Sequence, residues 1–534
     1  MGKIFERQEI ISTPEAKGMR TSPSSRGVSV SFSELKARRE FHLPVPRPLP
    51  NGRETQVMDF SSLKSKALSS QASACAVGLL QTDPQTDGQA EIFQSPRLVK
   101  DFAGLDDTNW MPPNSHIAAG PDHLIAVVNA TFAVFDKPGR QLLRRTLADL
   151  FSSLVADALI FNPKVIYDQF RGSWLLTACA RSVDEQRSWL LLASSQTGDP
   201  MGNWWIWALD ADYDGAIKTS HWPEGVGVAV DNSLLYLTMN MFTAQDEFAY
   251  SKLRILNVKE MQTGGILHGW DFWKLRNADG TLAFGVQPAL NLRAAGAQYM
   301  LNATSDGQGL TQWTISQPMR QAPMLKRRFV PTAQYHLAPD IRQRAGRVEI
   351  NSGDTRLVNV AFRHGLLWTA HTVAANWGDN TNTAVIHWLQ INPRAGCVTQ
   401  QGFYGAPREH YFCPAVMVDG EGNLLMVFNQ ASENEPPTIC FTGRQAADEP
   451  GLLRAGELLL RSPASASCEW SNFSGAAIAP DDTEVWLISQ YVATESDWPT
   501  WIGAVSYAEQ GGEPGLPGPK EGMSEPYSNQ SIYA

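Results

Sequence analysis

Residues 413–432, "CPAVMVDGEGNLLMVFNQAS", set two apolar runs on either side of a tight polar turn, Asp419-Gly420-Glu421-Gly422-Asn423. That order spells a strand, a turn and a second strand. The same pattern returns as "SHIAAGPDHLIAVVNA" from Ser115, "NPKVIYDQFRGSWLLTA" from Asn162, "GVGVAVDNSLLYLTMN" from Gly225 and "QPALNLRAAGAQYMLNA" from Gln287. It appears again as "LVNVAFRHGLLWTAH" from Leu357 and "SGAAIAPDDTEVWLISQ" from Ser474, which makes seven copies. A hairpin repeated this often constrains the fold more than any single motif does, because each copy must bury its apolar face against a neighbour.

Copies recur about every 45 to 70 residues, the length of a four-stranded sheet with its loops. Further strand-like runs fill out the units, among them "RSWLLLASSQ", "NWWIWALD", "KLRILNV", "LTQWTIS" and "TAVIHWLQIN". The expected fold is therefore all-β: a seven-bladed β-propeller over residues 91–508, preceded by an irregular arm (1–90) and followed by a tail (509–534). Small residues in the first strands, Ala118, Ala119, Gly227, Ala229, Ala289 and Ala476, suit the crowded axis. Trp204, Trp205, Trp207, Trp313 and Trp388 are expected to fill the wider space between blades. The seventh copy offers only three strands, so "EIFQSPRLVKDF", residues 91–102, is expected to supply its fourth and close the ring. One inserted helix is expected over residues 144–157, "RRTLADLFSSLVAD", with Leu147, Leu150, Phe151 and Leu154 on one face.

Composition narrows the function classes. With 43 % hydrophobic residues, 17 Trp, 22 Phe and 12 Tyr, the chain has ample material for packed cores. A net charge of -10 removes the electrostatic reason to expect nucleic acid as a partner. The N-terminal "MGKIFERQEIISTPEAKGMR" lacks the apolar core of a secretory signal, and no run reaches the roughly 20 apolar residues of a membrane span. A cytoplasmic protein, or one released by a non-standard route, is the expectation, without membrane insertion. Six scattered cysteines show neither a CxxC pair nor zinc spacing.

The chain resembles the seven-bladed β-propellers, and "PPNSHIAAGPDHLIAVVNATFAVFDKPG" with "NPKVIYDQFRGSWLLTA" is similar to uncharacterised bacterial propeller proteins. The resemblance implies an architecture and no particular activity, because propellers host hydrolases, lyases, oxidoreductases and binding platforms. Trp-Asp blade endings, kelch glycine pairs and a clean sialidase Asp-box are missing; "TSDGQGLTQW" has the right residue types at the wrong intervals.

Propeller ligands usually meet the residues that lead into each innermost strand. Here those are Asn114 and His116; Asn162; Trp222 and Glu224; Gln287; Arg356; His410 and Tyr411; and Asn472 with Trp470. Amides, one carboxylate, one guanidinium and aromatic faces suit a polar ligand. Acid/base chemistry would pair Glu224 with an Asp such as Asp107. His116, His221 and His410 could form a metal set, but three histidines from separate loops read first as polar loop residues, and no metal site is expected. Asp168, Asp231 and Asp419 precede turns in three copies, where an Asp accepts turn N–H groups; calcium is the alternative use of such residues, and otherwise no cofactor is expected. The loop around Trp498 is the best candidate for an exposed sugar-stacking aromatic, with core or rim packing the first expectation even there. Three functions follow in order: a non-catalytic binding or scaffold propeller taking a glycan, another polar ligand or a protein partner; a glycan-acting hydrolase, glycosidase-like or sialidase-like; and a structural component of a larger assembly.

Overall fold

The computed structural model describes residues 9–10, 19–21, 24–32, 35, 80–82 and 95–508, except 109, 185, 317–321, 345–348, 379–381, 467–469, 471–472 and 495–496. It is all-β with two five-residue helices, Leu147–Phe151 and Val258–Gln262, among those residues. The strands form antiparallel four-stranded meanders in a propeller-like arrangement. The first meander runs through His116–Ala119, His123–Val128, Thr131–Asp136 and Gln141–Thr146; the second begins at Ala158–Asp168 and the third at Trp222–Val230. The fourth, fifth and sixth begin at Gln287–Asn291, Val360–Arg363 and Glu409–Val418. The last is Gly475–Ile478, Val485–Gln490 and Thr500–Ser506, completed by Arg97–Ala103 from the other end of the chain. That pairing, Trp501 opposite Ala103 and Ser506 opposite Arg97, supplies the strand missing from the seventh hairpin.

First strands of successive meanders lie side by side, and the last lies beside the first. Ala118, Ala119, Gly227 and Ala476 line the central channel, where a larger Cβ substituent would hold the strands apart. Trp204, Trp207, Trp313 and Trp388 are fully buried.

A recurring backbone device joins the meanders. Register shifts fall between Phe161 and Lys164, Glu224 and Gly227, and Phe412 and Ala415. Each shift centres on a residue with positive φ: Asn162 at 47°, Gly225 at 65° and Cys413 at 54°. Such a bulge leaves an N–H outside the ladder, and a buried N–H needs an acceptor. Asn129 Oδ1 takes Asn162 N–H at 2.8 Å, Asn162 Oδ1 takes Gly225 N–H at 3.2 Å, and Thr372 Oγ1 takes Cys413 N–H at 3.0 Å. Asn240 Oδ1 does the same for Gly285 N–H at 3.0 Å. Each acceptor sits on the preceding meander, so the clips run around the axis.

Where residues 1–90 are described, short strands join the edges of the meanders. Met19–Arg20 pairs with Gly269–Phe272 of the third meander, and Val28–Ser31 with Asn203–Asp210 of the second. Glu9–Ile10 and Leu80–Thr82 add backbone pairs to the fourth and fifth. Phe32 is fully buried, stacked 4.2 Å from Trp204. Phe32→Ala is accordingly expected to cost about 3–5 kcal/mol, the range for buried Phe truncations; a urea midpoint equal to wild type would show that the arm only drapes the surface. The helix is also shorter than expected. Residues 144–146 finish the edge strand of the first meander, and Thr146 Oγ1 caps the helix by accepting Asp149 N–H at 3.0 Å. The residue 509–534 tail lies outside the described residues, and among those described no helix is long and apolar enough to cross a membrane.

Candidate functional site

The bulges determine which side chains reach the channel. Two residues after each positive-φ position, the chain presents His116 after Asn114, Lys164 after Asn162, Gly227 after Gly225 and Gln287 after Gly285, and all four line the channel cavity. Asn359 joins them. The cavity is about 60 Å³, room for a few waters.

Around Lys164, the one of them that lines the cavity, four charged groups meet. Arg356 is gripped by Asp354 through Nε at 2.8 Å and Nη2 at 2.6 Å, and its Nη1 lies 3.8 Å from Glu224 Oε1. Glu224 Oε2 accepts Asn240 Nδ2 at a long 3.5 Å. Phe284 lies 4.9 Å and Phe473 5.9 Å from the Arg356 guanidinium, and the Lys164 ammonium stands 4.6 Å over the same Phe473 ring. Lys164 is only 8 % exposed. Among the described residues its Nζ has no hydrogen-bond acceptor.

Electrostatics follow from burial. Desolvation raises the Glu224 carboxyl above its ordinary range, against the pull of Arg356. Burial, then the charge of Arg356, bring the Lys164 ammonium down to about 7, with Glu224 opposing. Burial works against the Arg356 charge as well, but Asp354 and Glu224 outweigh it and hold the guanidinium ionised. His116 is kept neutral mainly by burial and then by Lys164; among the described residues its Nδ1 has no partner.

The other residues expected at the mouth have different roles. Asn162 is a clip between meanders, as described, and Asn114 supplies the positive φ of 51° before His116. Trp222 donates to Thr243 O at 2.9 Å and packs under Arg181, between the second and third meanders. His410 Nδ1 accepts Ala384 N–H at 3.2 Å, and Tyr411 stacks on Phe428 in the core at 5.1 Å. Asn472 lies outside the described residues. Asp107 accepts Trp498 N–H at 3.4 Å, so it serves the first-to-last junction; the carboxylate that shares Arg356 with Glu224 is Asp354. Trp498 is fully buried, in keeping with its use in packing rather than in sugar stacking. His221 bonds Tyr250 and His410 bonds the fifth meander, so neither joins His116.

The three turn aspartates spend their oxygens on turns. Asp168 takes Phe170 N–H at 3.0 Å and Arg171, Asp231 takes Ser233 and Leu234 N–H at 2.7 and 2.9 Å, and Asp419 takes Glu421 and Asn423 N–H at 3.0 and 2.9 Å. Among the described residues no three His, Cys, Asp or Glu side chains gather at metal-binding distance.

No protein-family model matches the sequence, and no curated protein is similar to it. Solved structures give distant likenesses. An α-L-arabinanase of Penicillium chrysogenum has a TM-score of 0.37 at 9 % identity, over 77 % of this chain and 99 % of that one. An α-L-arabinofuranosidase of Fusarium graminearum gives 0.37 at 8 %, over 77 % and 98 %. A Trypanosoma rangeli sialidase gives 0.32 at 10 %, over 69 % of this chain and 57 % of the sialidase, so the chain spans little more than half its length. Likenesses this slight carry no activity across.

Proposed function

We propose that the chain is a seven-bladed β-propeller, closed by Arg97–Ala103, that binds a polar ligand at its channel mouth, with a glycan as the favoured class. The supporting observation is hydrogen-bonding capacity that the protein itself leaves unused beside the channel cavity. Buried polar groups are ordinarily satisfied, yet Glu224 has only contacts of 3.5 and 3.8 Å, and the Lys164 ammonium has only an aromatic face. Hydroxyl groups of a sugar would supply the missing partners, and Phe473 and Gln287 would border it.

Glu224→Ala is expected to weaken binding roughly tenfold or more, the scale of one hydrogen bond to a charged group. Titration of a glycan panel by calorimetry reads this directly; a variant that matches wild type on every bound glycan removes the mouth from consideration. A hydrolase is the second reading, favoured by the raised Glu224 carboxyl, which is how a general acid is held at neutral pH, with Asp354 as the neighbouring carboxylate. It requires Glu224→Gln to lose glycan turnover while keeping the wild-type unfolding transition.

A further inference from the structure

Among the described residues two lysines are buried, under opposite conditions. Lys252, fully buried, donates to Ala211 O at 3.3 Å and to Tyr213 O, and lies 3.3 Å from Asp214 and 3.5 Å from Asp271. Its ammonium is enclosed by oxygen and serves the architecture. Lys164 has no such shell among the described residues. It leaves the Asn162 bulge, passes over Phe473 and lines the cavity together with His116 and Gln287. The Arg356 guanidinium is the cation that acts on it, and the carboxylate that opposes, Glu224, is itself engaged with Arg356 and Asn240.

An amine desolvated against an aromatic ring, beside a second cation and without an acceptor, is placed as nucleophilic lysines are placed. From this arrangement we propose that Lys164 is a reactive amine that forms a reversible imine with small aldehydes or ketones entering the channel mouth; the inference rests on reading that mouth as a ligand site. The Nζ lone pair attacks the carbonyl carbon, and the C=O π pair moves to oxygen. A proton passes from nitrogen to that oxygen, giving a carbinolamine. The hydroxyl takes a further proton and leaves as water while the nitrogen lone pair closes the C=N bond. Loss of the nitrogen proton then restores the one consumed, so amine plus carbonyl become imine plus water with no oxidant or reductant. A cavity of about 60 Å³ restricts the carbonyl partner to a few heavy atoms or to one end of a longer open-chain sugar.

Acetaldehyde with cyanoborohydride traps the imine as a stable ethyl-lysine that peptide mass spectrometry locates. The depressed basicity of Lys164, about 7, leaves about half of it as free amine at neutral pH, against about one part in a thousand or less for an ordinary lysine. At pH 7 the full-length protein is expected to ethylate Lys164 at least about tenfold faster than the exposed Lys259, with the advantage disappearing near pH 10. Equal or slower labelling at Lys164 overturns the proposal. Lys164→Arg, which keeps charge and bulk, is expected to lose only the fast-labelling site; fast labelling that persists elsewhere in that variant also overturns it. Because no glycan is present, a negative result alongside a weakened Glu224→Ala titration would fell this inference alone. Fast labelling with no glycan bound by either protein would instead fell the glycan reading.

Discussion

Removing residues 1–103 should abolish the cooperative unfolding transition, whereas removing residues 1–94 should leave one transition at a lower denaturant midpoint. The two truncations differ by the strand Arg97–Ala103 and the two residues before it. That strand is the outer edge of the last meander, and what it carries is long-range: Phe102 packs 5.7 Å from Phe135 of the first meander and 6.1 Å from Trp486 of the last. Just beyond it, Gly104 N–H and Leu105 O bond Thr500 at 2.9 and 2.8 Å. Without the strand, Thr500–Ser506 becomes an open edge beside exposed apolar surface, which invites aggregation. Phe102 is half-buried, so losing its contacts costs less than the about 3–5 kcal/mol of a fully buried Phe, but the ladder with Thr500–Ser506 is lost with it, and both weigh against the about 5–15 kcal/mol of a typical fold. Urea unfolding followed by tryptophan fluorescence distinguishes the outcomes; two truncations with the same midpoint would show that the ring does not depend on this closure.

The closing strand was readable because a repeat exposes its own deficits: six units had a fourth strand or room for one, and the seventh had three. The seven hairpins were readable for a similar reason, since a period-two apolar pattern broken by Asp and Gly survives any loop length. Pairing of the arm left no comparable trace. Met19–Arg20 and Val28–Ser31 join sheet edges through backbone groups that every residue has, so a Ser-rich, Arg-rich stretch looked irregular. Val28, Val30 and Phe32 alternate with serines there, a period-two signal of only five residues.

Glu224 and Arg356 are legible in the sequence because they precede first strands, and the two charged groups beside them are not, for different reasons. Asp354 lies between copies, where no strand pattern fixes its place. Lys164 was within reach: "NPK" aligns with "NSH", so Lys164 stands to Asn162 as His116 stands to Asn114. Selecting Asn162 took the hinge of the bulge for its tip. His410 and Tyr411 failed in the converse way, because the bulge in that strand comes later, at Cys413, and leaves both residues within the sheet. Helix length was overread because Arg144 and Arg145 fit a helical face equally well as an edge strand, and the edge already had a partner.

The second large effect is expected far from the mouth, at Asp271. Its carboxylate is 1 % exposed and receives Arg254 through Nε at 2.8 Å and Nη2 at 2.7 Å, with Lys252 Nζ at 3.5 Å. Burial pushes this carboxyl up, but Arg254 and Lys252 together outweigh burial and hold it below the usual carboxylate range. Asp271→Ala leaves two buried cations short of a counter-charge and is expected to cost about 3–5 kcal/mol, as removal of one member of a buried pair does. The pH dependence fixes the sign. A carboxyl whose pKa is lower folded than unfolded contributes stability that is fully present above the unfolded value, about 3.9, and that is lost as pH falls through the folded value. The difference between wild type and Asp271→Asn, which retains the shape without the charge, should therefore be constant from pH 5 to 7 and shrink below about pH 4. Urea midpoints at pH 3.5, 5 and 7 test both statements. A difference that does not shrink in acid would mean the variant loses hydrogen-bond geometry rather than charge, and a difference near zero throughout would mean Asp214 alone satisfies Lys252 and Arg254.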